Sequence, residues 1–124
     1  AAEIFEIEDA PAKAIAAIES VAKKTGVSLS AWADRWRLRL AASEKAGVDV
    51  SAARFDAGRE FRFGYYDGFV FELLSAKLGA SAPLSAGGRY DGLLGKLSNG
   101  RVNMSAAGAM VRVDRLLRAA GAGA

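Results

Sequence analysis

The chain has 124 residues, 52% hydrophobic and 25% charged, with a formal net charge of +3. That length suits one folded domain and is too short for two full-sized ones. With no cysteine and no histidine, it has no disulfides, no thiolate metal site and no catalytic triad built on histidine.

The first half reads as two helices. Asp9, Ala10 and Pro11 form a start signal, a side-chain acceptor followed by a residue that lacks an N–H. Ile15, Ile18 and Val21 or Ala22 then share one face. Lys23 and Lys24 suit the negative end of the dipole, and Gly26 is the expected stop. Ser28 or Ser30 opens the second helix, whose apolar stripe is Leu29, Trp32, Trp36 and Leu40. Gly47 ends it. The paired tryptophans read as packing contacts. Arg35, Arg37 and Arg39 read as a solvated helix face rather than a phosphate-binding surface. Residues 1–50 are thus expected to form a helical hairpin, and residues 51–124 to form the second part of the same domain.

The period changes near residue 50. Ala53, Phe55 and Ala57 alternate with Arg54 and Asp56, which predicts a short strand. Phe61, Phe63 and Tyr65 alternate with Arg62 and Gly64. Asp67-Gly68 then predicts a hairpin tip before a second strand from Phe69 to Leu74. In an extended segment Tyr65 and Tyr66 point to opposite faces. The run Phe69-Val70-Phe71 suggests burial on both faces. Glu72 sits among apolar residues, where Arg115 or Arg89 is a plausible partner. Residues 76–88 read as a loop, with Gly87-Gly88 as a sharp turn into a helix from Arg89 to Leu97. Another strand is expected within Val102–Val113, followed by a helix from Asp114 and a frayed tail from Gly121.

Gly87-Gly88 is placed like an anion-binding turn, and Arg89 can pair with a carboxylate or phosphate. It matches neither a P-loop nor a dinucleotide fingerprint. The other reading is a tight turn stapled by an Arg89–Asp91 salt bridge, and spacing alone leaves both open. Asp56, Asp91 and Glu72 offer carboxylates, but no separation between them is fixed. No catalytic pair and no metal site is assigned.

Three ordered stretches resemble the catalytic domain of histidyl-tRNA synthetase, and more closely its paralogue, the regulatory subunit of ATP phosphoribosyltransferase. The stretches are Phe61-Arg62-Phe63-Gly64-Tyr65-Tyr66-Asp67-Gly68-Phe69-Val70-Phe71-Glu72, then Ala86-Gly87-Gly88-Arg89-Tyr90-Asp91-Gly92, then Gly108 to Leu117. The resemblance covers about half the chain, from Phe55 to Arg118. It implies an α+β fold, an antiparallel sheet flanked by helices, as part of a class II aminoacyl-tRNA synthetase-like catalytic domain. Residues 1–50 fit as a helical insertion.

Three departures argue against amino-acid activation. Phe61 stands where the synthetase has a reactive-end arginine, Gly64 where it has an aspartate, and Arg112 where a glycine lets the nucleotide approach. The resemblance therefore implies a non-catalytic sensor without a cofactor. Its candidate histidine-binding residues are Tyr65, Tyr66, Gly88, Arg89 and Tyr90. Its implied partners are histidine and a catalytic ATP phosphoribosyltransferase subunit, joined by a homodimer within a hetero-oligomer. A divergent synthetase fragment is the alternative. No nucleic-acid partner and no membrane are expected, and the location is expected to be cytoplasmic. The chain opens on Ala1-Ala2-Glu3 without Met and is expected to be a C-terminal piece of a longer protein.

Overall fold

The computed structural model describes residues 2–59 and 64–121, in two units, Ala1–Glu60 and Phe61–Ala124. Both mix helices with small antiparallel sheets, so the fold is α+β.

The first unit is built on two helices, α2 (Pro11–Lys24) and α3 (Ser30–Lys45). A short α1 (Ala2–Phe5) and a strand β1 (Glu8–Asp9) precede them. Pro11, Ala14, Ile15, Ile18 and Ala22 are buried on α2, with Ala33 facing inward on α3. Ala14 and Ala33 are fully buried, and side chains that small let two helices approach closely. Among the described residues Ile15 is the largest wholly buried side chain, worth about 1.5–3 kcal/mol against exposure.

Gly26 and Gly47 take φ of 75° and 86°, the left-handed geometry that stops a helix. The start of α2 differs from the sequence reading. Asp9 Oδ1 accepts from the Ala10 N–H at 2.6 Å, and Ala10 is the N-cap, without a side-chain cap. The aspartate is used one residue too early to reach the helical donors.

The tryptophans pack on a strand. Phe55 belongs to β2 (Phe55–Asp56), which follows a 3-10 turn at Val50–Ala52 and pairs antiparallel with β1. The Trp36 ring lies 4.8 Å from the Phe55 ring and the Trp32 ring 6.2 Å, both edge-on. Each such pair adds about 0.5–1.5 kcal/mol beyond area burial. Arg37 bridges Glu19 on α2 and Asp34 on α3, and Arg39 lies 5.1 Å over Trp36. The bridge to Glu19, then that to Asp34, raises the Arg37 pKa. The arginine run serves the helical hairpin.

The second unit is a three-stranded antiparallel sheet in the order β3 (Val70–Leu73), β4 (Ser85–Arg89), β5 (Ala107–Val111). Helix α4 (Asp91–Leu97) links β4 to β5, and α5 (Val113–Ala120) follows. Asn99 and Gly100 turn the chain after α4 with φ of 52° and 79°. The expected late strand and final helix are both present; of the tail expected from Gly121, Gly121 itself caps α5 with φ of 79°, and 122–124 lie outside the described residues.

Four expectations are corrected. Gly87-Gly88 is no turn: both residues lie mid-strand, paired with Phe71 and Val70 on one side and Ala109 and Gly108 on the other. Their backbones belong to ladders, so they form no anion cradle. The loop therefore ends sooner, at Leu84, whose N–H donates to the Leu73 carbonyl at 2.7 Å. Pro83, which lacks a donor, stands just outside the strand.

Asp67-Gly68 is not a left-handed hairpin tip, because Gly68 lacks the positive φ. Instead residues 67–69 run beside Arg89: Asp67 N–H donates to the Arg89 carbonyl and Arg89 N–H to the Phe69 carbonyl. The hairpin's first arm, Phe61 to Phe63, lies outside the described residues. Lastly, β3 is not buried on both faces: Phe71 and Leu73 are 40% and 55% exposed, and their face of the sheet is open at Val111 as well.

The helical pair sets the stability of the first unit. Ile15→Ala is expected to cost about 2–5 kcal/mol, while Leu38→Ala, on a residue 70% exposed, is expected to shift it by less than about 0.5 kcal/mol. Urea denaturation followed by far-UV circular dichroism measures both.

Candidate functional site

The central strand carries its candidate site because it has almost no side chains. A Cβ on Gly88 would come within 2.7 Å of the Phe69 carbonyl oxygen and 2.9 Å of the Tyr66 ring. A Cβ on Gly108, paired opposite Gly88, would lie 2.5 Å from the Tyr90 hydroxyl. Directly opposed residues share a face. One face of the sheet therefore has a floor of bare backbone at Gly88 and Gly108, with Tyr66 and Tyr90 lying on it.

Tyr65 joins them, which overturns the expectation that the twin tyrosines diverge. Gly64 and Tyr65 form a turn rather than an extended segment, so alternation does not apply. The rings of Tyr65 and Tyr66 are 4.5 Å apart, and their hydroxyls share a hydrogen bond at 3.3 Å. Tyr90 meets Tyr65 edge-on at 5.5 Å and Tyr66 at 6.2 Å. The hydrogen bond with Tyr65, then burial, then the nearness of Tyr65 and Tyr90 push the Tyr66 phenol up to about 12. At neutral pH it stays protonated. The cluster presents hydroxyls and ring faces together.

Arg89 is placed differently. Side chains alternate along a strand, and Arg89 goes to the opposite face from Gly88. There Gly68 packs against its stem, with room for no Cβ: the Arg89 Cβ would be 2.8 Å away. An open pocket of about 290 Å³ on that side is lined by Phe69, Arg89, Asp91, Ser105, Ala106 and Ala107. Arg89 Nε donates to Asp91 at 2.7 Å, the salt bridge the spacing suggested, and its NH2 group donates to the Ser105 hydroxyl at 3.3 Å. Tyr65, Tyr66, Gly88 and Tyr90 come together, and Arg89 stands behind them.

Burial works against the Asp91 charge, but the bonds from Arg89 and from the Ala106 N–H, with the Arg89 charge, outweigh it. The carboxyl is held below its ordinary value. Arg115 donates to the Pro83 carbonyl at 2.9 Å.

Two contributors were not singled out as site residues from the sequence. Gly108 had a signal, since it opens the third family-like stretch. Asp67 read as a turn residue, yet its carboxylate accepts from the N–H groups of Asp91 and Gly92, at 2.8 and 2.6 Å. A cap supplied from 24 residues away leaves no local pattern. Of the three departures, Gly64 lies in the turn before the tyrosines and Arg112 is the N-cap of α5. Phe61 lies outside the described residues. Among the described residues no group of His, Cys, Asp or Glu could hold a metal ion, and no helix is long and apolar enough to cross a membrane.

In sequence, known proteins resemble most of this chain. A family model described as Histidyl-tRNA synthetase matches residues 4–116. The match takes in the helical hairpin, beyond the Phe55–Arg118 stretch where the sequence motifs stand. An ATP phosphoribosyltransferase regulatory subunit of Mesorhizobium japonicum is 36% identical over 100 residues, 81% of this chain and 26% of that protein. Its counterpart in Allorhizobium ampelinum is 35% identical over 114 residues, 92% of this chain and 30% of that protein. A histidine–tRNA ligase of Gloeobacter violaceus is 40% identical over 77 residues, 61% of this chain and 16% of that protein. The chain thus spans between 16% and 30% of the length of these relatives. No solved structure matches.

The Asp91 network has an acid limit. Its folded value is depressed below the ordinary 3.8, so the stability it contributes is complete above that value and is lost as pH falls through the lower, folded one. Asp91→Asn is expected to flatten that part of the acid limb. Denaturation midpoints measured from about pH 5 to about pH 2 test this, and parallel curves for the two proteins contradict it.

Proposed function

Because the chain belongs to the histidyl-tRNA synthetase family, we propose that it is part of a regulatory subunit of ATP phosphoribosyltransferase that binds histidine at the tyrosine cluster. The binding gives feedback control over histidine biosynthesis in the cytoplasm. A catalytic partner subunit performs the phosphoribosyl transfer, within a hetero-oligomer that contains a homodimer of regulatory subunits.

One observation carries the reading: Tyr65, Tyr66 and Tyr90 gather on one face over the glycine floor at Gly88 and Gly108. Neutral hydroxyls can donate to or accept from an imidazole, and edge-on rings can hold it. Arg89 contributes from behind, by bracing Asp91. The relatives named as regulatory subunits support the regulatory half of the reading, and so does Arg112. Where the synthetase has a glycine beside its adenine site, Arg112 opens α5 with its N–H donated to the Leu84 carbonyl at 2.8 Å. A ligand regulates by binding one state of the assembly better than another. The likeness to the Gloeobacter ligase favours the second reading, a divergent synthetase fragment with activation chemistry.

The test uses the full-length protein with its catalytic partner. Histidine is expected to inhibit phosphoribosyl transfer. Tyr66→Ala is expected to weaken that inhibition roughly tenfold, the scale of one lost hydrogen bond, with assembly intact by size-exclusion chromatography. Histidine-dependent ATP–pyrophosphate exchange by the protein alone would instead establish the synthetase reading. Absence of calorimetric histidine binding up to about 1 mM removes both.

A further inference from the structure

Asp67 follows the paired tyrosines directly. Its N–H donates to the Arg89 carbonyl at 3.1 Å. Its Oδ1 accepts the Asp91 N–H and its Oδ2 the Gly92 N–H, so each oxygen meets one donor in the first turn of α4. Tyr90 is the residue just before that turn. Asp91 continues the path: it accepts the Ala106 N–H at 3.0 Å, one residue before β5. The Tyr90 N–H in turn donates to the Ala106 carbonyl at 2.8 Å. Three separate segments are stitched through two carboxylates, mostly onto backbone donors that cannot change rotamer. The fit is tight on both sides. A Cβ on Gly68 would meet Arg89, and a Cβ on Gly92 would lie 2.9 Å from Asp67 Oδ2.

We infer that Asp67 is the positioning residue of the tyrosine cluster, holding Tyr65 and Tyr66 against Tyr90 by clamping the start of α4. An ordinary N-cap precedes its own helix in sequence, and losing it frays only that helix end. Asp67 lies on a different segment, so losing its carboxylate also loosens the segment that carries two of the three rings, leaving it held by the backbone bonds to Arg89. The effect on histidine binding rests on the function proposed above. The effect on ring geometry does not.

The full-length protein is labelled with ¹³C-tyrosine, and the signals of Tyr65, Tyr66 and Tyr90, the three tyrosines of this chain, are assigned by replacing each in turn with phenylalanine. Ring-to-ring nuclear Overhauser contacts from Tyr90 to Tyr65 and Tyr66 are expected in the native chain. They should weaken most in Asp67→Ala and less in Asp67→Asn, which keeps one acceptor oxygen. They should also weaken in Gly92→Ala, whose methyl group displaces the carboxylate without removing it. Far-UV circular dichroism checks folding, and Asp67→Asn and Gly92→Ala decide if Asp67→Ala unfolds. Histidine affinity of the full-length protein is expected to fall about tenfold in Asp67→Ala. Undiminished ring contacts in any folded variant overturn the inference, and unfolding of all three overturns it in favour of a general stabilising role. A native protein that ignores histidine sinks the proposed function, while the ring contacts still decide the role of Asp67.

Discussion

The carbonyls of Phe69 and Gly108 lean so close to the central strand that a methyl group fits on neither Gly88 nor Gly87. Glycine in a strand is entropically costly and packs nothing itself. Two in succession in the middle of a three-stranded sheet therefore mark close approach, and the tyrosines show what approaches. Tyr66 rests on Gly88 and the Tyr90 hydroxyl on Gly108. A larger residue at either place would lift the rings off the sheet and fill the space above the backbone.

The cluster depends equally on what lies behind it. Arg89 leaves the tyrosine face and enters a network with Asp91 and Ser105. Both members of the Arg89–Asp91 pair are more than a third exposed, so solvent screens the charges and the pair acts chiefly by fixing geometry. The open apolar face with Phe71, Leu73 and Val111 is on this rear side. The sheet is thus asymmetric: the tyrosines cover the glycines on one face, which also carries Val70, Glu72 and Met110, while Phe71, Leu73, Val111 and Arg89 with its ion pair lie on the other.

Much of the fold was legible where a local rule governed it. Ile15, Ile18 and Ala22 recur at helical spacing and are buried, and Gly26 and Gly47 stop their helices for the reason any left-handed position favours glycine. Strand β1 was not legible, since two residues are too few for alternation to appear. Gly87-Gly88 misled because glycine permits both a sharp turn and a close strand contact, and sequence does not say which neighbour is near. The tyrosines misled because alternation presupposes an extended chain, and Gly64-Tyr65 turn instead. The residue types that form the cluster were legible through the ordered family-like stretches. Which of them share a face was decided by pairings between residues roughly twenty apart, beyond any local pattern.

The two kinds of large polar aromatic are segregated along the chain. Trp32 and Trp36, the protein's two tryptophans, belong to the helical unit and pack on Phe55, whereas every tyrosine belongs to the sheet. Indole emission excited beyond the phenol band therefore reports on the hairpin alone, and set beside the far-ultraviolet circular dichroism of the whole chain it reveals whether the two units melt in a single step or in succession.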